Sequence, residues 1–264
     1  MALAQPKIDD LEDQRVEITR TFVRSFQLDS VGCMRLERAL RQLSKLPEFE
    51  AQARHSIGLV LAMKRDYAGV VHNFGRAAAL CGDPAVAAGR VTAALHCGMI
   101  EEAARHLKTQ PLTADPVGLR EIMTGAMQSG LYNLAERCLF ELQKLNADPA
   151  DGAGLVSECI SDIRTATALM AQWDVTDDDI LARVAVAYEV VRRLVPSHPF
   201  VVYGFSATPD AGIMYEFPLR LAIDDLVDID WQISEALIES FEDPFSELIG
   251  FSTRPFSSSL RCAS

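Results

Sequence analysis

From about residue 9 to residue 195, apolar residues recur every three or four positions, which is the period of an amphipathic helix. Pro, Gly and Asp residues interrupt this pattern at short intervals and mark breaks between helices. Because the connections are short, we expect consecutive helices to be antiparallel neighbours. The predicted helices cover residues 9–27, 30–45, 48–64, 67–81, 84–97, 100–109, 117–129, 132–145, 154–173 and 177–195.

Three segments of this helical region share one pattern. Tyr67, Ile100 and Tyr132 are 33 and 32 residues apart, and the same offsets align several other positions. These columns are Leu61, Ala94 and Ala126; Arg65, Gly98 and Gly130; Val70, Ala103 and Ala135; and Phe74, Leu107 and Leu139. The small residue lets two helices approach closely, and the large apolar residue four positions later fills the gap against the next hairpin. A single hairpin cannot bury its apolar face alone, so copies of it should stack.

The segments "MKRDYAGVVHNF", "LHCGMIEEAARHL" and "MQSGLYNLAERCL" resemble the tetratricopeptide repeat family, with three repeats over residues 48–145. The segment "LARVAVAYEVVRRLVP" is similar to the second helix of a divergent fourth repeat, which extends the resemblance to residue 195. Three features depart from the family: the aromatic residue at the start of the first helix is missing, its glycine is present only as Gly58, and the fourth repeat requires an insertion before it. A helical bundle without repeats is the alternative.

The resemblance implies a solenoid whose concave face binds a peptide or a helix. In the family, this face is formed by the first helix of each repeat. The corresponding residues are His55, Leu59, Met63, Ala88, Thr92, His96, Arg120, Thr124 and Gln128. They lack the paired lysine and asparagine with which some members of the family hold a terminal carboxylate. We therefore expect an internal segment or a helix as the ligand.

The pattern changes after Pro196 to short runs rich in β-branched and aromatic residues, which predict strands. "PFVVYGFSA", "GIMYEFPLRL" and "ELIGFSTRPF" are the predicted strands, and "IDDLVDIDWQISEALIESFED" between the last two is a helix, with Asp224 or Asp225 as its cap. The fold class is therefore mostly α: a helical-hairpin solenoid over residues 1–195, followed by a small acidic α+β module of order β-β-α-β over residues 196–264. Such a thin module should depend for its core on the helices or on a second copy.

Charge narrows the range of partners. The chain has a net charge of −12, and residues 196–264 hold eleven acidic and three basic side chains and no lysine. Nucleic acid is disfavoured as a partner, because its binding depends on Lys and Arg at phosphates. An acidic surface that includes Asp228, Glu235 and Glu239 favours a basic protein surface. The alternative is that these acids serve only solubility.

The candidates for chemistry are His96, Cys97 and His106, which lie close together in the sequence. A zinc site needs four ligands at characteristic spacing, and the chain has no C-x-x-C pair. The four aspartates at positions 224, 225, 228 and 230 lack a calcium-loop pattern. Nucleotide-binding and nucleophile-elbow motifs are also missing. We therefore predict no catalytic residue, metal or cofactor.

Six scattered cysteines, an N-terminus without a signal-peptide pattern and the lack of a long apolar run predict a cytoplasmic protein without a membrane partner. The favoured function is non-catalytic: an adaptor or chaperone-like protein that binds a peptide, a helix or a basic protein surface. One alternative is a small-molecule enzyme or ligand-binding protein with its site between the C-terminal sheet and the helices. Another is an immunity or antitoxin-type protein that masks a basic partner. The sequence leaves the oligomeric state open.

Overall fold

The computed structural model describes residues 5–82, 84–112, 115–148, 157–200 and 203–256, and this part of the chain is mostly helical with a small sheet near the C-terminus. Among the described residues before 98, the helices are α1 (Gln5–Ser25), α2 (Ser30–Leu43), α3 (Glu50–Met63), α4 (Tyr67–Leu80) and α5 (Pro84–His96). They are followed by α6 (Ile100–Thr109), α7 (Pro116–Gln128), α8 (Tyr132–Lys144), α9 (Ser157–Gln172) and α10 (Asp177–Leu194). The last elements are β1 (Gly204–Thr208), β2 (Gly212–Leu219), α11 (Ile223–Ser240) and β3 (Ile249–Pro255).

The ten predicted helices and the β-β-α-β order are confirmed. Local capping explains why the starts of several helices could be predicted from the sequence. Asp29, Asp66 and Asp115 each accept a hydrogen bond from a backbone N–H in the first turn of the helix that follows. Thr176 forms a capping box with Asp179 at the start of α10. The predicted start of α9 at residue 154 lies outside the described residues.

The predicted cap of α11 was wrong. Ala222 is the N-cap residue and its side chain makes no capping hydrogen bond. Asp224 and Asp225 lie in the first turn, where a carboxylate interacts favourably with the helix dipole. The apolar Ile223 is the first helical residue, and its side chain is exposed.

The chain divides into two compact units, Met1–Cys97 and Gly98–Ser264. In the first unit, α3 packs against α2, α4 and α5, and α1 contacts α2 and α3. The division separates α5 from α6, which are the two helices of the second predicted repeat. The predicted domain boundary after residue 195 lies within the second unit.

In the second unit, α7 packs on α8, while α10 contacts α6, α8 and α11. The sheet has the order β1-β2-β3, with β1 antiparallel and β3 parallel to β2. The helix α11 makes the crossover between the two parallel strands and packs on β3 and α10. Tyr215 is paired with Phe205 on one side and with Phe251 on the other, so aromatic side chains share one face of the sheet.

That face of the sheet and the helices form a single aromatic core. The Tyr215 hydroxyl donates a 2.5 Å hydrogen bond to the Met127 carbonyl at the end of α7. The Tyr188 ring of α10 lies edge-on to Phe217, with ring centroids 5.1 Å apart. Tyr132 of α8 stacks on Phe205 at 5.0 Å. The sheet thus depends for its core on helices α7, α8 and α10, and α9 packs on β1. This is one of the two arrangements expected for so thin a module.

The repeat columns have matching environments. The small and large apolar side chains predicted to be buried are buried: Val70, Ala103, Ala135, Phe74, Leu107 and Leu139. The turn column is also consistent, because Arg65, Gly98 and Gly130 all have left-handed backbones with φ of 59°, 70° and 75°. Among the described residues, none of the helices has the length and hydropathy needed to cross a lipid bilayer.

Candidate interaction surface

The predicted groove residues of the first unit lie on two helices that pack together, α3 and α5. The imidazole of His55 lies edge-on to Phe74 with ring centroids 5.4 Å apart. It also faces Gly89 so closely that a Cβ there would lie 2.2 Å from His55 Nε2. Leu59 and Ala88 are half-buried, and Thr92 is exposed. The structure therefore places His55 against Phe74 and Gly89, while Leu59, Ala88 and Thr92 keep part or all of their side chains accessible.

The other two residues of that set, Met63 and His96, are buried. Helix α1 lies over this end of α3, where the Thr19 hydroxyl donates a 3.4 Å hydrogen bond to the Met63 sulphur. Glu12 of the same helix accepts a hydrogen bond from the Ser56 hydroxyl. In this structure α1 therefore covers the end of α3 that carries Met63.

His96 is 7 % exposed, and its environment disfavours a positive charge. Burial, with smaller contributions from Arg65 and Arg15, lowers the pKa of His96 from 6.5 to about 4. A neutral imidazole among neighbouring cations is suited to a protein interior. It would not serve as a cationic recognition group near neutral pH.

In the second unit, α7 carries the remaining groove residues. The Arg120 guanidinium donates to the Asp148 carbonyl at 2.6 and 2.9 Å, and Thr124 donates to the Arg120 carbonyl. The Gln128 amide is buried and donates to the Phe200 carbonyl at 2.5 Å and to the Tyr188 hydroxyl at 3.3 Å. The hydrogen bonds of Gln128 are therefore made inside the aromatic core.

The residues considered for catalysis or metal binding contact neighbouring groups of the helical fold. The Cys97 thiol lies 3.6 Å from the Ala62 carbonyl, and His106 is within 3.0 Å of Glu102 on the same helix. Burial raises the pKa of the Cys138 thiol to about 12, which keeps it protonated. Within the part of the chain that the structure describes, no group of three or more His, Cys, Asp or Glu side chains is arranged to hold a metal ion.

The space between the sheet and the helices was the predicted site of a small ligand in the enzyme alternative. Large side chains fill the described part of this space, and each is buried: Tyr132, Tyr188, Phe200, Tyr215 and Phe217. Burial also raises the pKa of Tyr132 and Tyr215 well above 10, so neither hydroxyl is an acid near neutral pH. This region is therefore built as a hydrophobic core.

The outward side of α11 is an exposed surface. The inward side of this helix buries Leu226, Ile229, Ile233 and Leu237. A second set of apolar residues on the same helix, which we call the α11 stripe, points to solvent. The exposed fractions are 70 % for Ile223, 60 % for Val227, 72 % for Trp231 and 69 % for Ile238. With 3.6 residues per turn these side chains fall within an arc of about 80°, so they form one continuous stripe.

Acidic side chains border the α11 stripe on one side. At the same helical spacing, the next arc of about 60° holds Asp224, Asp228, Glu235 and Glu239, which we call the acidic ridge. All four are exposed. Asp230 differs from them, because its carboxylate accepts a 2.6 Å hydrogen bond from the Thr253 backbone N–H and thereby fastens α11 to β3. The predicted acidic residues Asp228, Glu235 and Glu239 thus lie side by side along an exposed apolar strip.

The acids of this surface were predicted from the sequence, whereas its exposed apolar side chains were not. The signal was present in the sequence, since Ile223, Val227 and Trp231 recur every four residues on a helix whose core face is already complete without them. A helix that is apolar on two sides is either buried on both or has a surface to cover.

Comparisons with protein-family models, with curated proteins and with solved structures find no match to this chain. The resemblance to tetratricopeptide repeats therefore stays a prediction.

Proposed function

We propose that this protein is a non-catalytic interaction protein that binds a segment of another protein along the outward side of α11. The observation that carries this proposal is the α11 stripe beside the acidic ridge. Exposed apolar residues scattered singly are normal on protein surfaces, whereas a continuous patch marks an interaction site. Trp231 at the middle of the stripe is of the residue type that most often dominates binding energy.

The chemistry of the surface specifies the partner. A segment that covers the α11 stripe must be apolar along one side, and its neighbouring side must carry Lys or Arg to face the acidic ridge. An amphipathic helix meets both conditions, since α11 offers about 27 Å of straight surface at 1.5 Å per residue. Charge complementarity would set the register of the partner and accelerate its approach.

A photo-crosslinking amino acid at Val227 tests this proposal in lysate from the native cells. Val227 lies within the stripe, and the exposed Val117 of α7 is a matched control position. We expect a different protein to be crosslinked in stoichiometric yield at position 227 and not at 117. Trp231→Ser should abolish the adduct, whereas Trp173→Ser at the other exposed tryptophan should not. Equal labelling at both positions, or no foreign protein at 227, contradicts the proposal.

We also infer that the α3–α4 and α7–α8 pairs are hairpins of the tetratricopeptide type. The inference is supported by the buried columns and by the shared left-handed turn at Arg65 and Gly130. Under it, Ala135 lies where two helices pass closest. Ala135→Leu should then lower the free energy of unfolding by about 1–3 kcal/mol through overpacking. Ala78→Leu on the exposed side of α4 is the control, and an equal effect of both substitutions in denaturant titrations contradicts the repeat register.

A further inference from the structure

The two compact units differ in charge. Residues 1–97 contain 13 Lys and Arg against 11 Asp and Glu, a net charge of +2, whereas residues 98–264 contain 12 against 26, a net charge of −14. The acidic ridge belongs to the second unit. A surface of this chain that complements the acidic ridge is therefore expected in the first unit.

Helix α2 has such a surface. Its inward side buries Cys33, Leu36, Leu40 and Leu43. The outward residues, which we call the α2 basic face, are exposed and combine cations with two apolar side chains: Val31, Met34, Arg35, Arg38, Arg41 and, just after the helix, Lys45. The one acid of this helix, Glu37, lies off this face and is bound to Arg41 and to Lys64, each at 2.7–2.8 Å. The α2 basic face is thus a cationic strip with apolar positions, about 21 Å long at 1.5 Å per residue.

The α2 basic face meets both conditions for a partner of α11, because it carries cations and has apolar side chains among them. Arg35 and Arg38 can meet carboxylates of the acidic ridge while their aliphatic stems cover the α11 stripe. An arginine over Trp231 adds a cation–π contact. Met34, an adaptable and exposed apolar side chain, supplies a contact for the stripe itself.

We propose that the α2 basic face of one copy of this chain docks on the α11 stripe and acidic ridge of a second copy. The proposal rests on the proposed function, of which it names one partner. Because the two surfaces are different, the contact is heterologous: every dimer keeps one unused α2 basic face and one unused α11 stripe. Association therefore continues beyond the dimer into open chains or a closed ring.

Sedimentation of the purified protein over a wide concentration range tests the proposal. At low salt we expect the average mass to rise above the 29.0 kDa of the monomer and to pass the dimer. High salt should reverse the effect, because the Debye length shrinks from about 10 Å at 0.1 M to about 3 Å at 1 M. Trp231→Ser should weaken association at low salt, whereas Trp173→Ser should not.

Charge reversal separates this contact from non-specific adhesion. Arg35→Glu with Arg38→Glu places acids on both surfaces, and Asp228→Lys with Glu235→Lys places cations on both. Each double variant alone should associate at least about tenfold more weakly than the native protein, because like charges then meet. An equimolar mixture of the two should associate again, since each surface now finds its opposite. Arg20→Glu with Arg76→Glu makes the same change of charge on exposed positions of α1 and α4 and should have no effect.

A native protein that stays monomeric at every concentration and salt overturns the proposal, as does a mixture of the reversed variants that fails to recover. Circular dichroism of each variant shows whether it is folded, so a loss of association is not mistaken for unfolding. Failure here is distinct from failure of the proposed function. A monomeric protein that still crosslinks a foreign protein at Val227 retains the function without self-association. A protein that self-associates but crosslinks only its own copies supports self-association and contradicts the proposed function.

Discussion

At the scale of single residues, burial determines what the polar side chains can do. His96 and Gln128 occupy equivalent positions in the repeat pattern, and both are enclosed by the unit in which they lie. Gln128 compensates for its burial with hydrogen bonds to Phe200 and Tyr188. His96 compensates by remaining neutral, which makes its protonation a test of its environment.

The first prediction concerns acid stability. The unfolded chain protonates His96 near its ordinary pKa of 6.5, whereas the folded protein takes up that proton only near pH 4. Between these values the unfolded state binds more protons, so stability falls as the pH is lowered. The loss attributable to His96 is on the order of 3 kcal/mol, at about 1.4 kcal/mol per pH unit.

His96→Gln should remove this contribution. The free energy of unfolding, measured in urea from pH 7 to pH 4, should then depend less steeply on pH than in the native protein. His72→Gln, at an exposed histidine of α4, is the control for the loss of a histidine elsewhere in the chain. An unaltered slope in the His96 variant would show that this imidazole is protonated in the folded protein as readily as in the unfolded one.

The second prediction concerns Arg183, a buried cation of α10. Its guanidinium lies over the rings of Phe241 and Phe245, at 4.3 and 3.9 Å from their centroids. It also donates to the carbonyls of Asp179, Asp243 and Pro244. Burial lowers the pKa of Arg183, but the guanidinium stays charged at physiological pH. Arg183 thus ties α10 to the segment between α11 and β3.

Arg183→Met should lower the free energy of unfolding by roughly 2–4 kcal/mol, because it removes the cation–π contacts and leaves carbonyls without donors. Arg193→Met, an exposed position on the same helix, should change it by less than about 0.5 kcal/mol. Thermal and urea unfolding of both variants provide the measurement. Equal stability of the two variants would mean that Arg183 contributes no more than a surface arginine.

At the scale of elements, α11 carries three distinct sides on 18 residues: a buried face, the α11 stripe and the acidic ridge. The buried face holds the helix against β3 and α10, and Asp230 adds a hydrogen bond to Thr253. Its position is thereby fixed without any contribution from the stripe or the ridge. Those two sides are available for binding.

The third prediction assigns the acidic ridge a role in the rate of association. Neutralising Asp228, Glu235 and Glu239 as amides should slow association with the crosslinked partner at low salt and flatten its salt dependence. A focused negative field raises association rates by roughly 10- to 1000-fold, and salt screens it. Stopped-flow kinetics at low and high ionic strength measure both effects. An unchanged rate, together with stronger self-association of the variant, would indicate that the acids act only in solubility.

At the scale of the whole molecule, the sheet is part of the second unit and not an appendage to it. Tyr132 and Tyr188 of the helices pack against Phe205 and Phe217 of the strands. Removing the chain after residue 195 would take away these ring contacts and the Phe200 carbonyl that accepts a hydrogen bond from Gln128. The helices after residue 98 therefore depend on the sheet as much as the sheet depends on them.

The fourth prediction follows from this shared core. A chain truncated after residue 195 should lose the cooperative fold of α6–α10, while α1–α5 stay folded because their core lies within the first unit. Hydrogen exchange should show lost protection in α7, α8 and α10, and circular dichroism should lose more helix than α11 alone supplies. If residues 98–195 keep their native protection, the domain boundary predicted at residue 195 is supported instead.

The sequence by itself determined the helices and the order of the strands, because these depend on local periodicity and turn residues. It also determined the columns of buried small and large residues, since the same offsets recur in three segments of the chain. Only the tertiary structure decided which predicted groove residues stay accessible, because the cover of α1 over Met63 and the aromatic enclosure of Gln128 come from residues distant in the chain. For the same reason it alone revealed the α11 stripe. Whether Trp231 and its neighbours are core or surface depends on how many sides of the helix are covered, and long-range contacts determine that coverage.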